Sequence, residues 1–359
     1  MKYNHLMCAA ALTLLLHNVA RAEQPTDGAF GVKASFFGDL AIVHSDKTHL
    51  GYLEYASLGG SFDTEKGNWW RGGKFLFSFA NTFGAKPSEN WIGDWQYANC
   101  NEAGSYTFVD ELWYQHSFDK TTITAGVYDM NDYFNWCDAT YYYINSSFTL
   151  TPTLSINYNV PTIPVNGLGL TIEHQPSDNV KFLAGAFDGY VVPLEDNEWN
   201  FNWRVNFHEG FLTMAELQIT SDKSFIELGA HYHTGEDQLG AYLKGSTSLF
   251  DSDRHQLELF GQLGYLFPVS PCRANICAGV NFKGVFGDKD ADTIGIGVTT
   301  VDIHGAEKHE TAFEFLYKWS FAEYVYAQAD FQYILHPTGN IGSSTPNAWM
   351  TTFRLALDF

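Results

Sequence analysis

The sequence predicts an all-β protein, a transmembrane antiparallel β-barrel of about sixteen strands. Three observations predict it: apolar and polar residues alternate in short segments along most of the chain, aromatic residues and glycine are abundant, and a final alternating segment ends on the last residue. The 359 residues include 29 Phe, 20 Tyr, 10 Trp and 32 Gly, and only 17% are charged. Disordered acidic chains lack aromatic residues. This composition is instead typical of a membrane barrel with aromatic belts.

The first 22 residues have the pattern of a secretion signal. Lys2 precedes an apolar stretch from Leu6 to Leu16, and the small-x-small sequence Ala20-Arg21-Ala22 follows. A membrane-anchoring helix needs roughly 20 apolar residues, which this stretch does not supply. We therefore predict a cleaved signal peptide at residues 1–22 and a barrel domain at residues 23–359.

The charge balance narrows the choice of partners. The formal net charge is −21, and an acidic chain repels phosphate groups. Nucleic acid is therefore excluded as a partner.

Period-two alternation marks sixteen candidate strands, because successive side chains of a strand point to opposite faces. In the last one, Phe353, Leu355 and Leu357 share a face with the terminal Phe359, a residue typical of outer-membrane barrels. A secreted β-sandwich or β-helix also alternates, but it explains this ending less well. The predicted strands are 30–44, 48–62, 69–84, 105–118, 120–129, 167–175, 179–188, 210–220, 224–234, 237–250, 254–268, 275–286, 292–302, 310–319, 323–334 and 347–359.

The connections between these strands fall into two classes. Those after even-numbered strands are short, whereas the long ones, near 85–104, 130–166, 189–209 and 335–346, all follow odd-numbered strands. Membrane barrels have short periplasmic turns and long external loops. The sorting therefore predicts which end of the barrel faces outward.

A sixteen-stranded barrel leaves an aqueous channel, so the polar faces of the strands should line it. In the fourth strand we expect Tyr106, Phe108, Leu112 and Tyr114 to meet lipid, with Glu111, Trp113 and Gln115 on the lumen side. Carboxylates, amides and a few lysines beside aromatic rings suit a neutral polyol, whereas an anion channel needs rings of Arg or Lys. The alternative for any one position is that its polar side chain only contacts water in the lumen and does not bind the solute. The candidate lumen residues elsewhere are Lys74, Glu227, Gln328 and Asp330, together with Glu216, Gln218, Glu258, Gln262, Asn281, Lys283 and Gln332.

Catalysis and metal binding have little support. His231 and His233 share a strand face with Glu227, but no further ligand clusters with them, so solvated histidines are the simpler interpretation. No nucleophile elbow, phosphate loop or zinc-protease motif occurs. We predict neither an enzyme nor a cofactor.

Four cysteines remain after export, and sequence alone leaves three connectivities open. Cys100 and Cys137 fall on two neighbouring long loops, so a bridge between them would fix those loops. Cys272 and Cys277 fall near one short loop that a bridge would close. Another pairing or free thiols are the alternatives.

Six short segments, in this order, resemble the carbohydrate-selective porin family (the OprB-like outer-membrane porins). They are ELWYQ at 111–115, GVYDMN at 126–131, NSSF at 145–148, GAFD at 185–188, GAHYHTG at 229–235 and QADFQYI at 328–334. The resemblance implies a passive, monosaccharide-permeable channel, with small neutral sugars as solutes and a long loop that folds inward. It adds Tyr128, Asp129 and His231 to the candidate pore residues.

The resemblance also implies contact with outer-membrane lipid in a Gram-negative bacterium. Val127 stands where the family usually has a basic residue, which leaves the sugar preference open. Association into a homo-oligomer is also left open. The alternatives are a general, mildly cation-preferring porin, or an outer-membrane enzyme or adhesin on the same scaffold.

Overall fold

A computed structural model describes residues 28–267, 270–338 and 346–358 of the protein. The predicted signal peptide and the terminal Phe359 lie outside the described residues. The strands are β1 (Phe30–His44), β2 (Thr48–Asp63), β3 (Gly73–Gly84), β4 (Tyr106–Phe118), β5 (Thr121–Tyr128), β6 (Gly167–Ser177), β7 (Val180–Asp188), β8 (Phe211–Thr220), β9 (Ser224–His233), β10 (Gln238–Asp251), β11 (Gln256–Phe267), β12 (Cys272–Lys283), β13 (Asp292–Ile303), β14 (Glu310–Ala322), β15 (Val325–Leu335) and β16 (Ala348–Asp358).

These sixteen strands form one closed antiparallel barrel. Each strand pairs with its neighbours along the chain, and β1 pairs with β16 to close the sheet, with Asp39 opposite Arg354. Closure removes the exposed sheet edges. The predicted fold class is confirmed, and all sixteen predicted segments contain a strand.

Four strand boundaries differ by three or more residues from the prediction: the start of β3, both ends of β12 and the end of β14. β3 begins at Gly73 rather than at 69, because Asn68 and Gly72 have positive φ values of 58° and 79° and turn the chain. The intervening Trp70 packs on the outer wall, where its indole N–H donates to the Tyr114 hydroxyl (2.8 Å). β12 begins at Cys272, three residues earlier than predicted.

The outer surface of the barrel is apolar. Phe77 and Phe79 of β3, Phe315 of β14 and Phe353 of β16 are all exposed, whereas Ser78 and Glu314, on the opposite face, are buried. An apolar band of this extent suits a hydrocarbon surrounding. In the part of the chain that the structure describes, no helix is long and apolar enough to cross a membrane.

The face prediction fails in the first half of β4. The pairing with β3 shifts register between Ser78, opposite Glu111, and Phe79, opposite Val109, which leaves Asp110 as the extra residue of a β-bulge. Tyr106 and Phe108 therefore point inward, and Phe108 is fully buried. The expectation that these two residues meet lipid was wrong because the bulge reverses the alternation.

Long loops enter the barrel from one end. The β5–β6 loop (129–166) contains four short helical turns, Met130–Asp132, Asp138–Thr140, Ser146–Thr149 and Pro152–Ser155. Its apolar side chains pack on the inner face of the wall in two clusters. One cluster joins Phe134 and Leu154 to Phe187 of β7 and Leu266 of β11, and the other joins Phe148 to Phe260, Cys277 and Leu316 of β11, β12 and β14.

The described cysteines are all free thiols. Cys272 and Cys277 both lie on β12, so the expected loop closure was wrong: five residues of strand separate them by about 16 Å, far beyond the reach of a disulfide. Cys100 and Cys137 lie on the two long loops as expected, but they are unpaired.

Candidate functional site

The β5–β6 loop leaves a channel on one side of the barrel interior. Its narrow part is a cavity of about 590 Å³ between that loop, the β3–β4 loop (85–105) and the walls of β1, β2, β15 and β16. The side chains that line it include Lys33, Phe37, Tyr55, Tyr97, Glu102, Asp129, Asp132, Trp136, Tyr141, Tyr326, Arg354 and Asp358.

The β4 bulge places two adjacent carboxylates on the channel side of the wall. Glu111 accepts a hydrogen bond from Lys33 Nζ at 2.7 Å. Asp110 accepts from Ser78 Oγ (3.0 Å) and from the Tyr55 hydroxyl (3.2 Å). A regular strand would have turned one of the two carboxylates toward lipid. The bulge therefore concentrates negative charge beside Lys33.

A second ion pair joins the two strands that close the barrel. Arg354 donates from Nε and Nη2 to the two oxygens of Asp39, both at 2.7 Å, in a bidentate geometry that favours a strong pair. Asn99 of the β3–β4 loop also donates to Asp39 at 2.7 Å. The guanidinium lies 5.4 Å from the centre of the Phe37 ring. Both channel cations, Lys33 and Arg354, are thus paired with carboxylates.

The β5–β6 loop contributes further carboxylates to the lining of the cavity. Asp129 caps the first helical turn by accepting from Asn131 N (2.7 Å) and also accepts from Ile163 N (3.2 Å). Burial raises the pKa of Asp129 to about 6. Asp132 follows on the same loop and is exposed to the channel.

Glu102 of the β3–β4 loop is another carboxylate in this lining. Its carboxylate accepts from Ser88 N (2.8 Å) and Glu89 N (3.0 Å). Burial raises the pKa of Glu102 to about 7 despite these two hydrogen bonds, which lower it. The ionisation of Glu102 therefore changes near neutral pH.

Aromatic rings stand among the charged groups. Trp136 and Tyr141 lie with ring centres 5.6 Å apart, and the Tyr141 hydroxyl donates to Asp358 at 2.7 Å. Rings offer apolar faces to the C–H groups of a sugar, while hydroxyls and carboxylates can exchange hydrogen bonds with its OH groups. The arrangement suits weak, repeated binding of a neutral polyol.

Four predicted lumen residues lie together on β3 and β4. Trp113 donates from its indole N–H to Glu111 (3.1 Å), and Lys74 Nζ lies 6.0 Å from the Trp113 ring centre. Gln115 donates to Thr124 Oγ1 (3.1 Å). Lys74, Glu111, Trp113 and Gln115 form a group on the inner wall. Glu111 connects this group to the channel through Lys33.

Five predicted lumen residues point inward but are covered by loops. Tyr128 and His231 lie beneath the β5–β6 loop, where the Tyr128 hydroxyl bonds to Thr171 (2.7 Å) and His231 contacts the Tyr158 ring. Glu227 is fully buried there. Gln328 donates to the backbone oxygen of Tyr142 (2.9 Å), and Asp330 is buried. Of the ten predicted residues, Asp129 is the one that lines the narrow cavity itself.

The residues that sequence reasoning missed fall into two groups. Lys33, Asp39 and Arg354 were visible as polar positions in the alternating end strands, but nothing singled them out. Tyr97, Glu102, Trp136 and Tyr141 lie on loops, where alternation gives no signal. The lengths of the β3–β4 and β5–β6 loops were the signals that could have suggested them.

Among residues 28–267, 270–338 and 346–358, no cluster of three or more His, Cys, Asp or Glu side chains has the arrangement of a metal site. His233 has a structural role: its Nε2 donates a hydrogen bond to the Gly189 oxygen (2.7 Å), and its ring is stacked on Tyr158.

Comparison with known proteins gave one family and several similar structures. The family model described as carbohydrate-selective porin, OprB family, matches residues 47–246 and 240–359. No curated protein matches the chain.

Among solved structures, the high-pH structure of Pseudomonas putida OprB has a TM-score of 0.82 at 17% identity and covers 96% of this chain and 97% of that chain. The low-pH structure of the same protein has a TM-score of 0.65 at 16% identity, with 96% of each chain covered. A triple mutant of the Rhodopseudomonas blastica porin has a TM-score of 0.53 at 14% identity, covering 92% of this chain and all of that one. These structures share the barrel fold.

Proposed function

The chain belongs to the OprB family of carbohydrate-selective porins, and from this premise we propose that its channel passes monosaccharides and other small neutral sugars down their gradient. As a member of a porin family it is a Gram-negative outer-membrane protein and a transport protein. The proposed passage involves no covalent chemistry and no cofactor.

The observation that supports this most is the pairing of charges in the channel. Lys33 and Arg354 are each bonded to a carboxylate, and aromatic rings lie between these pairs. An unpaired ring of cations would favour anions, whereas paired charges beside rings favour an uncharged solute that hydrogen bonds and stacks. Weak binding at several points also suits a solute that must leave as readily as it enters.

Recordings from the purified protein in planar bilayers test the proposal. Glucose or maltose added to one side should reduce the ion conductance in a saturable way, and liposomes with the protein should admit the same sugars. An uncharged polyether of similar size is the matched solute, because it fills the channel without offering a ring of hydroxyls. Equal block by the sugar and the polyether would contradict sugar selectivity.

A general, mildly cation-preferring porin is the second candidate. It is favoured by Glu102, Asp129 and Asp132, none of which is bonded to Lys33 or Arg354 in the structure. Reversal potentials in a salt gradient separate the two candidates: a general porin should show a mild cation preference without saturable sugar block.

Two further features are part of the proposal. We propose cleavage after Ala22, which the N-terminal sequence of the exported protein would test. We also propose that the barrels associate in the membrane, as tested by cross-linking in intact cells: a single band at the monomer position would contradict association.

A further inference from the structure

Strand β14 carries two buried carboxylates on the lumen side, and each receives the backbone of a different loop. Glu310 accepts from Trp95 N (3.0 Å) and Gln96 N (3.1 Å) of the β3–β4 loop. It also accepts from Thr338 N (2.8 Å) in the β15–β16 connection. Glu310 is fully buried, so its charge is balanced by these backbone dipoles.

Glu314 does the same for the β5–β6 loop, four residues (two periods of the alternation) further along the strand. Its two oxygens accept from the consecutive amides of Ile144 (2.6 Å) and Asn145 (3.1 Å). Both carboxyl oxygens of Glu314 thus accept a hydrogen bond from the loop backbone. Two such bonds to adjacent residues fix both the position and the orientation of the loop backbone.

Gln332 joins the two loops to each other. It lies directly opposite Glu314 in the pairing of β14 with β15. Its amide donates to the Ala98 oxygen of the β3–β4 loop (2.7 Å) and accepts from Asn145 Nδ2 of the β5–β6 loop (3.2 Å). The loops are also bonded directly, Ser146 N to the Tyr97 oxygen at 3.0 Å and Cys100 N to the Ile144 oxygen at 3.0 Å.

The residues next to these contacts line the channel. Tyr97 follows Gln96, Tyr143 precedes Ile144, and Ser146 follows Asn145, and all three border the narrow cavity. These three lining residues are thus each held next to a residue whose backbone amide is anchored.

We infer that Glu310, Glu314 and Gln332 are positioning residues that hold the β3–β4 and β5–β6 loops as one unit and so set the bore and the sugar selectivity of the channel. The sugar part of this inference rests on the proposed function. The bore part does not, because it concerns any permeating ion.

The test compares Glu314→Gln and Gln332→Ala with the unmodified protein in planar bilayers. In Glu314→Gln the new NH₂ group faces backbone N–H donors, so at least one of the two bonds is lost. We expect higher open-channel noise and a changed single-channel conductance in salt alone. We also expect the dissociation constant for sugar block to rise by about tenfold, which corresponds to about 1.4 kcal/mol.

Glu173→Gln is the matched control. Glu173 is a carboxylate of β6 that bonds to Lys181 (3.2 Å) rather than to a loop backbone, so its variant should conduct like the unmodified channel. The temperature at which each barrel loses its compact form on a gel reports stability separately. Unchanged conductance and noise in folded Glu314→Gln and Gln332→Ala would overturn the inference. If Glu314→Gln does not fold, Gln332→Ala decides alone, because it leaves both Glu314 bonds in place.

The two hypotheses can fail separately. If the substitutions alter the conductance but sugar does not block even the unmodified protein, the positioning role is retained and the sugar channel is contradicted. If sugar blocks the unmodified protein and the variants equally, the sugar channel is retained and the positioning role is contradicted.

Discussion

The two sides of the barrel interior are built differently. Along β7–β14 the inner wall is covered by the β5–β6 loop, and even the charged Lys244 is buried there, donating to the backbone oxygens of Asn135 (3.0 Å) and Thr149 (2.7 Å). Along β16, β1 and β2, and at Tyr326 of β15, the wall borders the channel, and its charges bond to each other across strands. The difference teaches that an inward-facing polar residue serves either the loop or the solute, and that the loop decides which.

The largest effect is expected from the ion pair at the closing seam. Arg354→Ala leaves Asp39, which is fully buried, without its bidentate partner, and breaking a buried pair typically costs about 3–5 kcal/mol. We expect a lower unfolding midpoint in a denaturant titration of the detergent-solubilised barrel. The double variant Asp39→Asn/Arg354→Gln should recover part of the loss. Equal midpoints for the single variant and the unmodified protein would show that the pair contributes little.

A smaller but specific effect is expected from the channel side of the comparison. Trp113→Ala, and separately Tyr141→Ala, should weaken the sugar block of conductance, since each removes a ring from the lumen or the channel. His231→Ala is the control from the covered side, and it should leave the sugar block unchanged because its ring lies beneath the loop against Tyr158. A loss of block in His231→Ala equal to that in Trp113→Ala would contradict the division of the interior.

Charge substitution in the channel should alter ion preference more than stability. Lys33→Gln leaves Glu111 and Asp110 without their nearby cation. The Lys33 side chain is 44% exposed but the Glu111 side chain only 4%, so stability should also fall, by less than in Arg354→Ala, where both partners are buried. We expect a shift of the reversal potential toward cations. Lys181→Gln, at the exposed pair with Glu173, is the matched control.

The smallest expected effect is a pH dependence of ion preference. Because burial raises the pKa of Glu102 to about 7 and of Asp129 to about 6, both carboxyls are mostly neutral below about pH 5 and mostly charged above about pH 8. Cation preference should therefore increase as the pH rises through this interval. Glu102→Gln should reduce the increase, and a flat profile in the unmodified protein would contradict the assignment.

The strands could be predicted because their signal is local. Alternation in segments such as Phe313–Trp319 depends only on which residues face hydrocarbon and which do not. The bulge at Asp110 could not be predicted. The adjacent acidic residues Asp110 and Glu111 fit a regular strand, in which one of them faces the lumen, as well as a bulged strand in which both do. Tyr106 and Phe108 were misplaced for that reason.

The site could be predicted only in part, because it depends on contacts between residues far apart in sequence. Alternation correctly turned Glu227 and His231 inward, but whether they meet water depends on where the β5–β6 loop folds. The pairing of Lys33 with Glu111 depends likewise on how β1 is placed relative to β4, two strands away in the sheet. Residue types alone carry no information on either event.

The seam between β1 and β16 also has a consequence for assembly. Asp39 and Arg354 are 315 residues apart in the chain, and contacts of such separation form late and slowly. Their bond can form only when the last strand has reached the first, so it reports completion of the ring. A fluorescent or cross-linking probe at this pair would therefore time the final step of barrel closure, independently of any solute that later passes through the channel.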